Sequence, residues 1–153
     1  MRSKILTDPG EIRSIIRKCL WCHLGMADLQ GNPYVLPMNF GFLDDTIFLH
    51  GAQQGKKITI LKQNPVVCIH FSTDHLLRYQ NEEVACSWSM KYRSVLCYGT
   101  AEFIVDPEEK KAALDVIMAQ YTGLRFSYNP PSIREVNCWK VKISRFEGRT
   151  YGY

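Results

Sequence analysis

The chain has 153 residues, 46% of them hydrophobic, which suits one domain (residues 1–153) with a core that needs no disulfide or metal staple. Nineteen Lys and Arg against 15 Asp and Glu leave a net charge of +4, suited to a small anionic ligand and too dispersed to argue for nucleic acid. The opening "MRSKILTDPGEIRSIIRK" has no apolar run of signal-peptide or membrane-span length, so a cytoplasmic protein with six reduced cysteines and no membrane partner is expected.

Asp8-Pro9-Gly10-Glu11 supplies an acidic N-cap, a proline at the first helical position and a capping-box glutamate. Ile12, Ile15 and Ile16 follow as one apolar stripe, predicting a helix. "CHLGMADL" then reads as a strand closed by the turn cluster Gln30-Gly31-Asn32-Pro33. "YVLPMNF" returns, and Pro37 places it at an edge or a bulge. Asp44-Asp45 turns into "TIFLHG", a short helix follows near residues 56–63, and "NP" breaks the chain before "VVCIHFS". Residues 73–91 read as a polar loop. "YRSVLCYGTAEFIV" is a long strand with a bend at Gly99. Asp106-Pro107-Glu108-Glu109 repeats the first helix signal, with Leu114, Ile117, Met118 and Tyr121 as its buried stripe and Gly123 as its end. Residues 122–135 read as a loop, and "CWKVKISRF" closes as an alternating strand. Six strands joined by tight turns predict a mainly β, α+β fold: a six-stranded antiparallel barrel flanked by helices.

Two motifs compete for the chemistry. "CLWCH" (Cys19 to His23) has the C-x-x-C-H spacing of covalent haem attachment, but that modification normally follows export. If both cysteines lie in the strand, their thiols diverge; if Cys19 still belongs to the helix, the geometry stays open. Packing is the expected role. Cys68-Ile69-His70 puts a thiol and an imidazole on one strand face, an arrangement expected to serve packing, and no metal site is expected.

The second motif is "HGAQQGKK". A strand ends at His50-Gly51, Gly55 frees the backbone, and Lys56-Lys57 open a helix whose N-terminus suits phosphate. The glycine spacing is one residue too short for a P-loop, and Lys57 stands where a magnesium-binding hydroxyl belongs. No G-x-G-x-x-G is present. Tyr92-Arg93-Ser94, opening a strand, offers a guanidinium and a hydroxyl to the same phosphate.

In order, the segments "PYVLPMNFGF", "IFLHGAQQGKK", "KQNPVVCIHF" and "YRSVLCYGTAEFIVDPEEKKAAL" resemble the pyridoxamine 5′-phosphate oxidase-like flavin-binding split barrels, and within them the nitroimidazole-resistance subgroup. The resemblance runs from about residue 8 to 149. It implies a homodimer holding FMN, or FAD, at its interface. By the same resemblance, Gly55, Lys56 and Lys57 hold the flavin phosphate, with Tyr92, Arg93 and Ser94 on the strand facing it. Pro37, Met38, Asn39 and Phe40 run along the isoalloxazine edge, chiefly through backbone. His50, Gly51 and Ala52 end a strand near the ring and the substrate. Gln54 departs from the subgroup, which often has Glu there. The implied activity is reduction of a small acceptor such as a nitroaromatic, with a nicotinamide donor, NAD(P)H. His50 is the candidate catalytic proton donor or substrate contact. The alternative is a non-catalytic flavin- or haem-binding or sensor protein on the same barrel.

Overall fold

The computed structural model describes residues 2–153. In chain order it contains β1 (Ser3–Leu6), α1 (Pro9–Lys18), β2 (Cys22–Ala27), β3 (Pro33–Met38), β4 (Gly41–Leu43) and β5 (Thr46–Gly51). Then come α2 (Lys56–Gln63), β6 (Val66–Arg78), β7 (Ser89–Ile104), α3 (Pro107–Ala119), α4 (Pro130–Glu135) and β8 (Asn137–Tyr151). The strands form one antiparallel sheet in the order β3-β2-β6-β7-β8-β5-β4, with β1 added on β8. This is the split barrel expected from the sequence, built from eight strands rather than six. The two unforeseen strands lack the alternation that reveals a strand. β1 is mostly exposed, and β4 has only three residues.

The hydrophobic pattern explains the closure. One face of each central strand supplies Leu24, Ile69, Phe71, Val95, Cys97, Leu49 and Val141, all fully buried. Ile12, Ile15 and Ile16 of α1 close over them, as their spacing predicted. Asp8 accepts from the Glu11 N–H at 2.7 Å and Asp106 from the Glu109 N–H at 3.0 Å, so both Asp-Pro signals are true N-caps. Pro37 lies on the edge strand β3, where its missing N–H breaks no ladder. Gly99 sits at the register shift between β7 and β8, where a Cβ would come within 2.6 Å of the Lys142 carbonyl oxygen.

Four expectations change. The loop over residues 73–91 shrinks to the stretch between Arg78 and Ser89, because β6 and β7 continue as a two-stranded arm. A bulge between Thr73 and Leu76, with Asp74 at φ +55°, interrupts the alternation that would have shown it. The loop over 122–135 contains α4, capped by Asn129, whose side chain accepts from the Ser132 N–H. α3 ends at Ala119, before Gly123, and its buried positions are Lys110, Ala113 and Ile117, while Tyr121 lies beyond its end. Cys68 and His70 face outward from β6; the core residues are Val67, Ile69 and Phe71.

Cys19 is the C-cap residue of α1 and Cys22 the first residue of β2; both are buried, unpaired thiols. Burial pushes their pKa values up to about 11 and about 12, the opposite of a reactive pair.

Gly41 marks the tightest packing contact. A Cβ there would meet the backbone of Val116 and Ile117 in α3 at 2.6 Å. Gly41→Ala is expected to cost about 1–3 kcal/mol, lowering Tm by several degrees in a thermal melt.

Candidate functional site

Three helices share one construction: Asp or Asn as N-cap, then proline. α2 is built differently. Its N-cap is Gly55, at φ +130°, with no side-chain hydrogen bond to the first turn. The first turn contains no acid and opens with Lys56 and Lys57. The N-terminus of a helix already carries a partial positive charge and unsatisfied N–H groups. Two lysines there oppose the helix dipole unless an anion joins them. Neither ammonium lies within 4.0 Å of a carboxylate among the described residues.

The lysines diverge. Lys56 Nζ lies 4.7 Å from the centroid of the Tyr34 ring on β3. Lys57 folds back over the end of β5, where a Cβ at Gly51 would sit 3.0 Å from its Cε and 3.1 Å from its Nζ. Gly51 therefore leaves room for the Lys57 side chain. His50, half-buried and paired with Cys138 across β5–β8, has its pKa lowered by burial and then by the Lys57 charge. Its imidazole is neutral at pH 7.

Gln53 holds the loop between β5 and α2. Its amide donates to the Arg134 carbonyl at 2.8 Å and the Val136 carbonyl at 3.4 Å. The Val136 carbonyl also accepts from the buried ammonium of Lys110 at 2.8 Å, and Ile133 O accepts from the same ammonium at 3.2 Å. Sequence reasoning missed both positioning residues, because their partners belong to α4, which read as a loop.

On β3, Met38 is buried, and so is Phe40 just beyond it, while Pro37 and Asn39 are exposed. The Phe40 N–H donates to the Tyr121 hydroxyl at 3.0 Å, tying this edge to the chain beyond α3.

The second basic element lies elsewhere in the chain. Arg93 pairs with Asp74 at 2.8 Å, and its guanidinium stacks 3.8 Å from the Tyr153 ring. Burial alone would raise the Asp74 pKa, but hydrogen bonds from Arg93 and Lys18 more than offset it. Tyr92 stacks with Tyr151. Ser94 points to the other face from Arg93, beside its cross-strand neighbour Arg149. Gly25, next to the Met26–Tyr34 rung, pairs with Cys68, whereas Arg93 pairs with Thr73. Those five steps along β6 are roughly 17 Å. The structure thus gathers His50, Gly51, Gly55 and Lys57, with Lys56 to one side, and sets Tyr92, Arg93 and Ser94 toward the other end of the sheet. Arg149 was missed because the closing strand showed alternation only up to Phe146.

The family model for pyridoxamine 5′-phosphate oxidase matches residues 8–150. The chain belongs to the pyridoxamine 5′-phosphate oxidase family. A Bacteroides thetaiotaomicron crystal structure, provisionally assigned as a 5-nitroimidazole antibiotic resistance protein, is 46% identical. That match has a TM-score of 0.88 and covers 97% of this chain and 87% of that one. Two more distant structures share the fold. The flavocytochrome Anf3 from Azotobacter vinelandii is 22% identical, with a TM-score of 0.81 and coverage of 97% and 70%. An FAD- and haem-binding protein from Mycobacterium smegmatis is 18% identical, with a TM-score of 0.84 and coverage of 98% and 74%. No curated protein sequence matches the chain. No helix among the described residues is long and apolar enough to cross a membrane.

The placement of His50 in this family member sets a pH dependence. Its folded pKa lies below the ordinary 6.5, so the unfolded chain binds the extra proton. Its contribution to stability falls as pH drops below about 6.5 and levels off below the folded value. An NMR titration should find the His50 midpoint below 6.5. Lys57→Met should raise it without restoring 6.5, since burial is the larger cause; an unmoved midpoint would separate the two groups.

Proposed function

We propose that this family member is a flavin-binding oxidoreductase that seats the phosphate of FMN, or of the FMN half of FAD, at the start of α2. The observation that carries the reading is that start itself: a bare glycine cap, open N–H groups and two lysines with no carboxylate within 4.0 Å among the described residues. A terminal phosphate matches every one of those features. Family membership supports a flavin, as do the flavin-binding relatives. The nitroimidazole-resistance relative supports a small nitroaromatic as acceptor; NAD(P)H as donor and a cytoplasmic homodimer complete the proposal.

When bound, the flavin supplies the hydride and electron chemistry. The chain supplies position and charge. Lys57 and the first-turn amides hold the anion, Gly51 leaves room for Lys57, and Gln53 fixes the loop that carries Gly55. His50, expected from the sequence as a proton donor or substrate contact, is kept neutral by burial and Lys57, so its proposed role is instead to accept a proton or a hydrogen bond beside the strand end. Pro37 and Asn39 present the open edge of β3 to the ring system. Within one chain Ser94 stands far from α2, so a twofold partner is the proposed route by which Tyr92, Arg93 and Ser94 reach the same cofactor.

Purified protein should be yellow, bleach under NADH or NADPH, and recover its colour when a nitroimidazole is added. Binding of flavin without turnover across donors and acceptors would instead favour a non-catalytic store or sensor. Lys56→Ala combined with Lys57→Ala should weaken FMN binding about 10- to 100-fold, the loss expected for charged hydrogen bonds. Riboflavin, which lacks the phosphate, should bind both proteins alike. Equal FMN affinity in the two proteins would remove the lysines from the phosphate site.

A further inference from the structure

The arm formed by β6 and β7 beyond the barrel contains a feature that flavin phosphate binding does not use. Its tip, between Arg78 and Ser89, buries none of its short helical turn, yet it is tightly ordered by its own hydrogen bonds. The Asn81 N–H donates to Ser87 Oγ, which donates back to the Asn81 carbonyl, and the Trp88 indole N–H donates to the Glu82 carbonyl at 3.1 Å. These bonds fix the Trp88 ring, on which Tyr79 stacks with centroids 4.2 Å apart. The pair borders a cavity of about 310 Å³, lined also by Arg78, Gln80 and Tyr151. That volume falls at the small end of ligand pockets. The loop acids Glu82 and Glu83 do not line it.

A second cleft is lined in part by the neighbouring stretch of β8. This one, of about 460 Å³, is lined by His70, Ser94, Leu96, Phe146, Arg149 and Glu147, whose carboxylate is paired with Arg145. Arg149 and Tyr151 are two residues apart on one face of β8, about 6.7 Å, so the Arg149 guanidinium lies one side-chain step from the aromatic end. The Arg149 guanidinium lies within 4.0 Å of no carboxylate among the described residues; its hydrogen bond is to Ser3 Oγ at 3.5 Å.

We propose that the pocket at the tip of the arm receives the adenine ring of a dinucleotide whose phosphates lie against Ser94 and Arg149. A fixed aromatic pair offers a stacking face to any base. The Gln80 amide adds the paired donor and acceptor that match adenine, and Arg149 supplies the counter-charge. The inference rests on the flavin oxidoreductase reading for its choice of dinucleotide, which is FAD or the nicotinamide donor.

ADP is the direct probe, with calorimetry as the readout. The wild-type protein should bind it. Trp88→Ala should weaken it tenfold or more, the loss of one base–aromatic stack, while FMN affinity stays unchanged; Trp88→Phe should recover most of the binding. Arg149→Gln should weaken ADP but not adenosine. A preference for FAD over FMN that Trp88→Ala abolishes would assign the pocket to the flavin. A raised KM for NADH or NADPH, with none for reduced nicotinamide mononucleotide, would assign it to the donor. Failure of the wild-type protein to bind ADP, or equal ADP affinity in Trp88→Ala, overturns the proposal. ADP binding without any flavin binding would sink the flavin reading and leave the pocket standing.

Discussion

The pairing of β7 with β8 is the constraint on which the rest of the molecule depends. These strands, 16 and 15 residues long, form the longest ladder of the sheet. The register shift at Gly99 bends that ladder, and the close approach of the Lys142 carbonyl leaves no space for a side chain. Everything functional is placed by its position along these two strands. The start of β8 receives β5 and the loop before α2; the end of β8 receives β1, Arg149 and the arm. A one-residue slip would move Arg149 from the face it shares with Ser94 to the core.

Helix α3 is the second organising element. It presses on Gly41 with backbone contact, and its continuation holds the Phe40 N–H through Tyr121. Its buried Lys110 holds the carbonyls that end α4, and one of these, Val136 O, also accepts from Gln53. A buried ammonium with no acid partner is costly unless its hydrogen bonds are made, and here two carbonyls make them. The helix thus braces both the edge of β3 and the loop before α2. These are the two parts of the chain that the resemblance assigns to opposite ends of one flavin.

The electrostatics of the site follow from what α2 lacks. The three other helices neutralise their N-termini with their own side chains, which stabilises each but uses the N–H groups. At α2 the cap is glycine and the charges add rather than cancel. Burial keeps His50 neutral, and the charge of Lys57, which lies over the strand end beside it, adds to that effect. The charge at the start of α2 and the protonation of the imidazole are therefore linked through one side chain.

Much of this was legible in the residues. Asp8-Pro9 and Asp106-Pro107 marked helix starts because caps act locally, and Pro37 marked an edge because it lacks a donor. Gly55-Lys56-Lys57 marked a helix start without an acidic cap because the cap and first-turn charges are local. The arm was hidden by a bulge that shifts strand alternation, and α4 by its short length despite its Asn129-Pro130 signal. Nothing local announced that Gln53 meets Arg134, that Arg93 is neutralised by Asp74, or that Arg149 shares a face with Ser94. Those contacts join residues 19 to 81 positions apart, and only the register of the closed sheet brings them together or keeps them apart. Local chemistry is written in short stretches of chain; which stretches lie side by side was decided by strand pairing.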